Sequence, residues 1–131
     1  MPKSPVPPQV AAFLAKPNHA VVCTIRPDGQ PISVATWYLY EDGKILVNMD
    51  HARKRLEFMR ANPLASVTVL DADNWYTHVS LTGRIVRLEE DPDLSVIDRI
   101  AAQYGTKYGV RDRKRVSAWI DIDTWHAWPL D

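Results

Sequence analysis

Between His19 and Met49 the chain carries three strand-like runs separated only by tight-turn signals: "HAVVCTIR", "PDGQ", "PISVATWYLY", "EDGK", "ILVNM". Proline followed closely by glycine, and Asp-Gly pairs, are what short chain reversals use. Nothing of helix length separates the runs, whereas a parallel pair needs a crossover of about a dozen residues. This stretch predicts an antiparallel three-strand meander and argues against a parallel, doubly wound sheet.

The flanking sequence adds helices and further strands. "PPQVAAFLAKPN" predicts a short amphipathic helix with prolines at its start, Val10, Phe13 and Leu14 on one face, and Pro17 as its end. "ARKRLEFMRAN" predicts a second helix, Leu56 and Met59 inward, stopped by Pro63. "LASVTVL" reads as a buried strand and "DADN" as a turn. "WYTHVSLTGRIVRLEE" is a long strand with Gly83 at a bulge or bend. "DPDLSVIDRIAAQYG" is the third helix, with Asp91 as N-cap, Pro92 at the first helical position and Gly105 as its stop. A basic loop, "TKYGVRDRKR", leads to a last strand, "VSAWIDID", and the tail "TWHAWPLD" extends that strand or lies across the surface.

About six strands and three short helices predict a mainly β (α+β) fold, a six-stranded antiparallel split β-barrel rather than a sandwich. The expected organisation is one domain over 1–131, with a lead-in over 1–18, a barrel over 19–122 and a tail over 123–131. Side chains fill a barrel of this size. A ligand is therefore expected outside it, in a groove made with a second subunit.

Composition narrows the function classes. Lys plus Arg and Asp plus Glu are both 16, so the basic excess of a nucleic-acid-backbone binder is missing. No apolar run approaches the roughly 20 residues of a membrane helix, and "MPKSPVPPQV" lacks a signal-peptide core. The expectation is a cytoplasmic protein with neither nucleic acid nor membrane as partner. Cys23 is the single cysteine and sits in a strand-like run, so a buried inert thiol is expected and a structural zinc site is not. Nucleotide-binding glycine motifs, a G-x-S-x-G elbow and paired-histidine metal spacings are all missing. Reactive atoms, if the protein is an enzyme, are expected to come from a cofactor. Five tryptophans are the compositional oddity. They suit a core, a subunit interface or the wall of a site for a flat ligand.

Arg53, Lys54 and Arg55 fall in the first turn of the predicted second helix. The free N–H groups and dipole at a helix start favour an anion, so acidic residues are preferred there and three cations run against the preference. With guanidinium groups added, the cluster is a candidate phosphate site. A solvated basic turn paired with Glu57 is equally compatible with the residues alone.

The arrangement "DGQP…WYLYEDGKILVN…ARKRLEFMRANPLASVTVLDADNWYTHVSLTGRI" resembles the split β-barrel flavin and deazaflavin oxidoreductases related to pyridoxamine-phosphate oxidase, over about His19 to Ile122. It is most similar to the branch that binds the deazaflavin coenzyme F420. The resemblance implies that Arg53 and Arg55, with Lys54 beside them, hold the cofactor phosphate. It implies that Asn48 and Met49 meet the tricyclic ring, that Trp37 on the preceding strand walls the ring or substrate pocket, and that Trp75 lies near the cofactor. It further implies a homodimer with shared cofactor sites, to which the tail "DTWHAW" contributes the partner's share. The expected activity is hydride transfer from the reduced deazaflavin to an activated double bond of enone, quinone or lactone type in a small organic substrate. FMN is the alternative cofactor, and a non-catalytic cofactor-binding module the alternative role. Oxidase activity is less expected, because the C-terminal extension of true oxidases is missing. The loop residues Lys107, Arg111, Arg113, Lys114 and Arg115, opposed locally only by Asp112, would suit the anionic tail of F420 or be a solvated loop. No catalytic acid is assigned; Tyr38, Tyr76 or His78, or solvent, could deliver a proton.

Overall fold

The computed structural model describes residues 1–129. Three helices, α1 (Pro8–Leu14), α2 (Lys54–Ala61) and α3 (Ser95–Gln103), accompany seven strands: β1 (His19–Ile25), β2 (Pro31–Thr36), β3 (Leu39–Glu41), β4 (Lys44–Asp50), β5 (Leu64–Leu70), β6 (His78–Glu90) and β7 (Arg115–Trp128). They form one antiparallel sheet in the order β2-β1-β5-β6-β7-β4-β3.

This corrects both the six-stranded barrel and the three-strand meander. "PISVATWYLY" is not one strand: it breaks after Thr36 and resumes at Leu39, and the two pieces lie at opposite edges of a sheet that no ladder closes. The turn signals do make the hairpins β1–β2 and β3–β4, but those hairpins are not neighbours. At the second turn Asp42 and Gly43 both have positive φ, 55° and 72°, the pairing that matches strand twist in a two-residue hairpin. Trp37 and Tyr38 carry the chain across the split. Tyr38 is fully buried, and its phenol donates to the Leu14 carbonyl at 2.7 Å and lies 3.1 Å from that of Lys16. Burial pushes the Tyr38 phenol well above its ordinary pKa, so it stays a neutral donor. The crossing is thus held by the end of α1, a contact remote in sequence. Aromatic residues are good strand formers, and nothing local marks the break.

The sheet has two apolar faces to cover. Inside its curl lie Val22, Ile45, Val47, Met49, Val67, Val69, Val79, Val116, Ala118 and Ile120, with Phe13 and Leu14 of α1 and Leu56 and Met59 of α2 packed in. On the outside, Leu46 and Trp119 pack against Leu94, Ile97 and Ile100 at α3. Ile45–Met49 is therefore buried throughout: period-two alternation sends its residues to two covered faces. Helix α3 is too short to persist alone. Burial of Ile97 and Ile100 stabilises it by about 1.5–3 kcal/mol per side chain.

Asp91 anchors that helix differently from expectation. It is not the residue before α3, which is Leu94 at φ 61°, and Pro92 is not helical. Its buried carboxylate reaches forward instead, Oδ1 accepting the Val96 N–H at 3.1 Å and Oδ2 the Ile97 N–H at 3.0 Å.

Gly83 is the bend the sequence suggested. The β6–β7 register shifts between Thr82 and Gly83, and a Cβ at Gly83 would collide with the backbone carbonyl of Asp121. Gly83→Ala must push β7 away along the longest ladder of the sheet. The expected loss is about 2–3 kcal/mol in urea unfolding; an unchanged midpoint would mean the strands part there at no cost.

Candidate functional site

Strand β4 is paired with β7 along its whole length, Lys44 to Asp50, but with β3 only as far as Leu46. The edge of Val47–Asp50 therefore faces the split with no strand beside it. A cleft of about 410 Å³ opens in this region, lined by His19, Ala35 and Trp37 on one side, Ile97 and Ile100 of α3, and Asn48, Tyr108 and Arg115 at its polar end. One face of Trp37 stacks on Tyr104, with ring centroids 5.3 Å apart and planes 13° from parallel. A second cleft of about 450 Å³ shares Tyr108 and Arg115 and is lined further by Ala52, Arg53 and Arg113.

A buried chain of polar groups fixes the shared end. Asn48 donates both amide protons, to Asp91 Oδ2 at 3.2 Å and Ser117 Oγ at 3.0 Å, and its Oδ1 accepts from Arg115 Nε at 2.6 Å. Both amide protons and the amide oxygen are thus engaged, in one consistent orientation. Arg115 then donates from Nη1 to the Tyr108 phenol oxygen at 2.7 Å, its guanidinium carbon 4.5 Å from the ring centroid.

The predicted basic cluster divides into three environments. Arg53 is the exposed N-cap of α2 and provides no side-chain cap. Lys54 is exposed, with Nζ 3.5 Å from Glu57, an ion pair worth at most about 1 kcal/mol. Arg55, expected to be free, is buried, and its Nη1 has no hydrogen-bond partner among the described residues. Burial first, then the charges of Arg53 and Arg115, lower the Arg55 guanidinium from its ordinary pKa, though it remains a cation. Among the described residues, none of Arg53, Arg55 and Arg115 pairs with a carboxylate. Asp50, the acid at this turn, is taken by the Ala52 N–H at 2.8 Å and by Arg113 at 2.9 Å, which in that order hold its carboxyl below the usual range. Three cations lie around an uncapped helix start, a place that favours an anion; Arg53 and Arg115 line the second cleft, whereas the buried Arg55, with a donor unused, lines neither cleft.

The remaining predicted residues scatter. Trp37 and Asn48 do line the apolar cleft, although Trp37 sits in the strand break and not on a strand. Met49 points into the core, leaving only its backbone toward the split. Trp75 does not open β6: with Tyr76 it occupies the preceding turn, 71% exposed, and lines no cleft described above. Tyr38, Tyr76 and His78 line neither cleft. The loop before β7 is not opposed only by Asp112, because Asp98 binds Arg111 at 2.6 Å and Asp50 binds Arg113. Tyr108 escaped the sequence reading, and Arg115 is there one of the basic loop residues that suit an anionic tail or a solvated loop. Alternation along "RVSAWID" carried the signal, since it places Arg115, Ser117 and Trp119 on one face, opposite Asp50, Asn48 and Leu46.

A split antiparallel sheet with an apolar cleft at the split, bordered at its polar end by Arg115, is a split-barrel architecture. Residues 6–129 match the family model described as pyridoxamine 5'-phosphate oxidase, and the chain belongs to that family. No curated protein matches it. Among solved structures, an F420 reductase superposes with a TM-score of 0.85 at 22% identity, covering 92% of this chain and 98% of its own. A conserved hypothetical protein of Mycobacterium tuberculosis gives 0.71 at 23% identity over 96% and 86%. General stress protein 26 of Bacillus anthracis gives 0.70 at 20% identity over 94% and 93%. At these identities the likeness is one of fold. Among the described residues no helix is long and apolar enough to cross a membrane.

Proposed function

We propose that the protein is a reductase that binds a phosphate-bearing deazaflavin, coenzyme F420, and passes its hydride to an activated double bond of enone, quinone or lactone type in a small organic substrate. The observation that carries this reading is the carboxylate-free group Arg53, Arg55 and Arg115, with the Arg55 Nη1 donor buried and unused. An F420 reductase with the same fold along 98% of its chain makes the deazaflavin the first candidate. FMN, whose phosphate suits the same cradle, is the alternative.

In this reading Arg53 and Arg55 anchor the phosphate, with Lys54 adding charge from the surface. Asn48 and the Met49 backbone border the ring on the open edge of β4, and Trp37 forms the wall. Trp75 reaches a cofactor only from a second copy of the chain, so the reading includes a homodimer; it also places the protein in the cytoplasm. The exposed edge strand β2, with Val34 38% accessible, and the adjoining Trp37, 37% accessible, form a surface such a dimer would cover. When bound, the cofactor supplies the hydride. The chain's own part is to orient the ring, exclude water and place donors where negative charge develops on the substrate.

The test is a parallel titration of F420 and FMN against wild type and Arg53→Ala/Arg55→Ala. The expected result is tighter binding of F420, weakened at least about 100-fold in the double variant, the loss of two charge-assisted hydrogen bonds. Preference for FMN moves the assignment to a flavin reductase. Binding of neither by folded wild type overturns the cofactor reading and leaves a barrel with a solvated basic turn.

A further inference from the structure

Tyr108 lies in a segment without regular structure, yet it is held at both ends. Its backbone carbonyl accepts from Arg111 Nη1 at 3.2 Å, and Arg111 is fixed in turn by Asp98 of α3. Its phenol oxygen accepts from Arg115, which Asn48 of β4 holds, and Asn48 is held in turn by Asp91 in the turn before α3. One charge-anchored chain thus fixes the Tyr108 backbone and a second fixes its phenol. They also set the direction of the phenol's chemistry. Its oxygen already accepts one charged donor, and its O–H has no protein acceptor among the described residues. A phenol polarised by a guanidinium on its oxygen is a stronger donor through hydrogen-bond cooperativity.

The phenol borders both clefts. Ala20, Ala35, Trp37, Ile97 and Ile100 make the first of them apolar away from this end. A matching ligand is flat and apolar with a hydrogen-bond-accepting oxygen at one end. We propose that Tyr108, positioned by Arg115, is the donor to a carbonyl-type oxygen of a conjugated ligand lying against Trp37. The proposal rests on the functional reading above only for identifying that ligand as the substrate of a reduction, in which the carbonyl oxygen gains negative charge as hydride reaches the conjugated carbon. His19 lines the same cleft, but Tyr108 is the donor that the protein itself has aligned.

The naphthoquinone menadione, labelled with carbon-13 at its carbonyls, is the probe. Its dissociation constant by equilibrium dialysis and its carbonyl band by difference infrared are read for wild type and Tyr108→Phe, without and with F420 or FMN. The variant keeps the ring beneath Arg115 and loses only the hydroxyl. A carbonyl band lowered in frequency on wild type, restored in the variant, with affinity about tenfold weaker, is the expected result, the size of one hydrogen bond. A wild-type band identical to that in apolar solvent overturns the proposal without reference to any variant. So does an unchanged band and affinity in Tyr108→Phe, or failure of wild type to bind the quinone. If neither F420 nor FMN binds while the band shift depends on Tyr108, the donor assignment stands and the cofactor reading fails.

Discussion

Arg55→Met raises the stability of the ligand-free protein by about 1–2 kcal/mol while weakening binding of a phosphate-bearing ligand about 100-fold. The opposite signs follow from one geometry. The residue is 9% exposed, its Nη1 has no partner among the described residues, and its charged neighbours include Arg53 and Arg115. A buried cation surrounded by cations and lacking an acid destabilises the empty protein. Methionine is unbranched, fills irregular space and removes that charge. A bound phosphate reverses the balance, because the same guanidinium then makes charge-assisted bonds in a site of low dielectric. Urea unfolding of both proteins, without ligand and with saturating FMN or F420, reads both effects at once. Ligand should add about 2.7 kcal/mol to wild type at a hundredfold excess over its Kd and little to the variant. A variant less stable than wild type in both states would mean that Arg55 has a structural partner, and the phosphate-anchor reading would be wrong.

The basic cluster stood out in the sequence as a candidate anion site while its surroundings did not, for physical reasons. Cations at a helix start contradict a local preference, and a local contradiction is visible in a single sequence. Hairpins are equally local: "EDGK" turned where its Asp-Gly pair required. Gly83 was legible because a glycine inside a strand needs a reason, here the close approach of Asp121. The break at Trp37–Tyr38 was not legible. Its cause is a buried phenol reaching the carbonyl at the end of a helix 24 residues earlier, and the local pattern through the break remains strand-like. One missed break had a large consequence, since it separated two hairpins to opposite edges and opened the split where the apolar cleft forms.

The polar end of the site was hidden in a different way. Arg115 follows Arg111, Arg113 and Lys114, so its neighbours suggest a solvated run. Only the β4–β7 register, a pairing of residues more than sixty apart, sets it beside Asn48. Trp75 shows the converse. The resemblance implied a cofactor contact, and within one chain the turn closed by Asp71 and Asn74 leaves the indole at the surface. Composition identifies candidates, but which of them meet is decided by long-range pairing.

Asp91→Ala tests the tie between fold and site, with an expected loss of about 4 kcal/mol. The carboxylate is 2% exposed and accepts three N–H donors: those of Val96 and Ile97, which open α3, and the Asn48 amide. Removing it leaves all three without their acceptor, and unmet donors at a buried helix start cost more than the bonds themselves contribute. Asp91→Asn keeps one acceptor oxygen but turns an amide N–H toward a donor, so its loss should be about half as large. Hydrogen exchange should locate the damage, with protection of α3 falling further than that of β5 or β6, since Ile97 and Ile100 pack through this helix. Binding responds differently from the Arg55 variant. Loss of a nearby negative charge favours an anion, while loosening of Asn48 frees Arg115 from its place, so phosphate affinity should change by less than tenfold. The two variants then separate the site's two dependences: Arg55→Met weakens the ligand and strengthens the protein, whereas Asp91→Ala weakens the protein and largely spares the ligand. If Asp91→Ala left stability unchanged, α3 would be held by its apolar face alone, and the polar chain from Asp91 to Tyr108 would have no anchor in the fold.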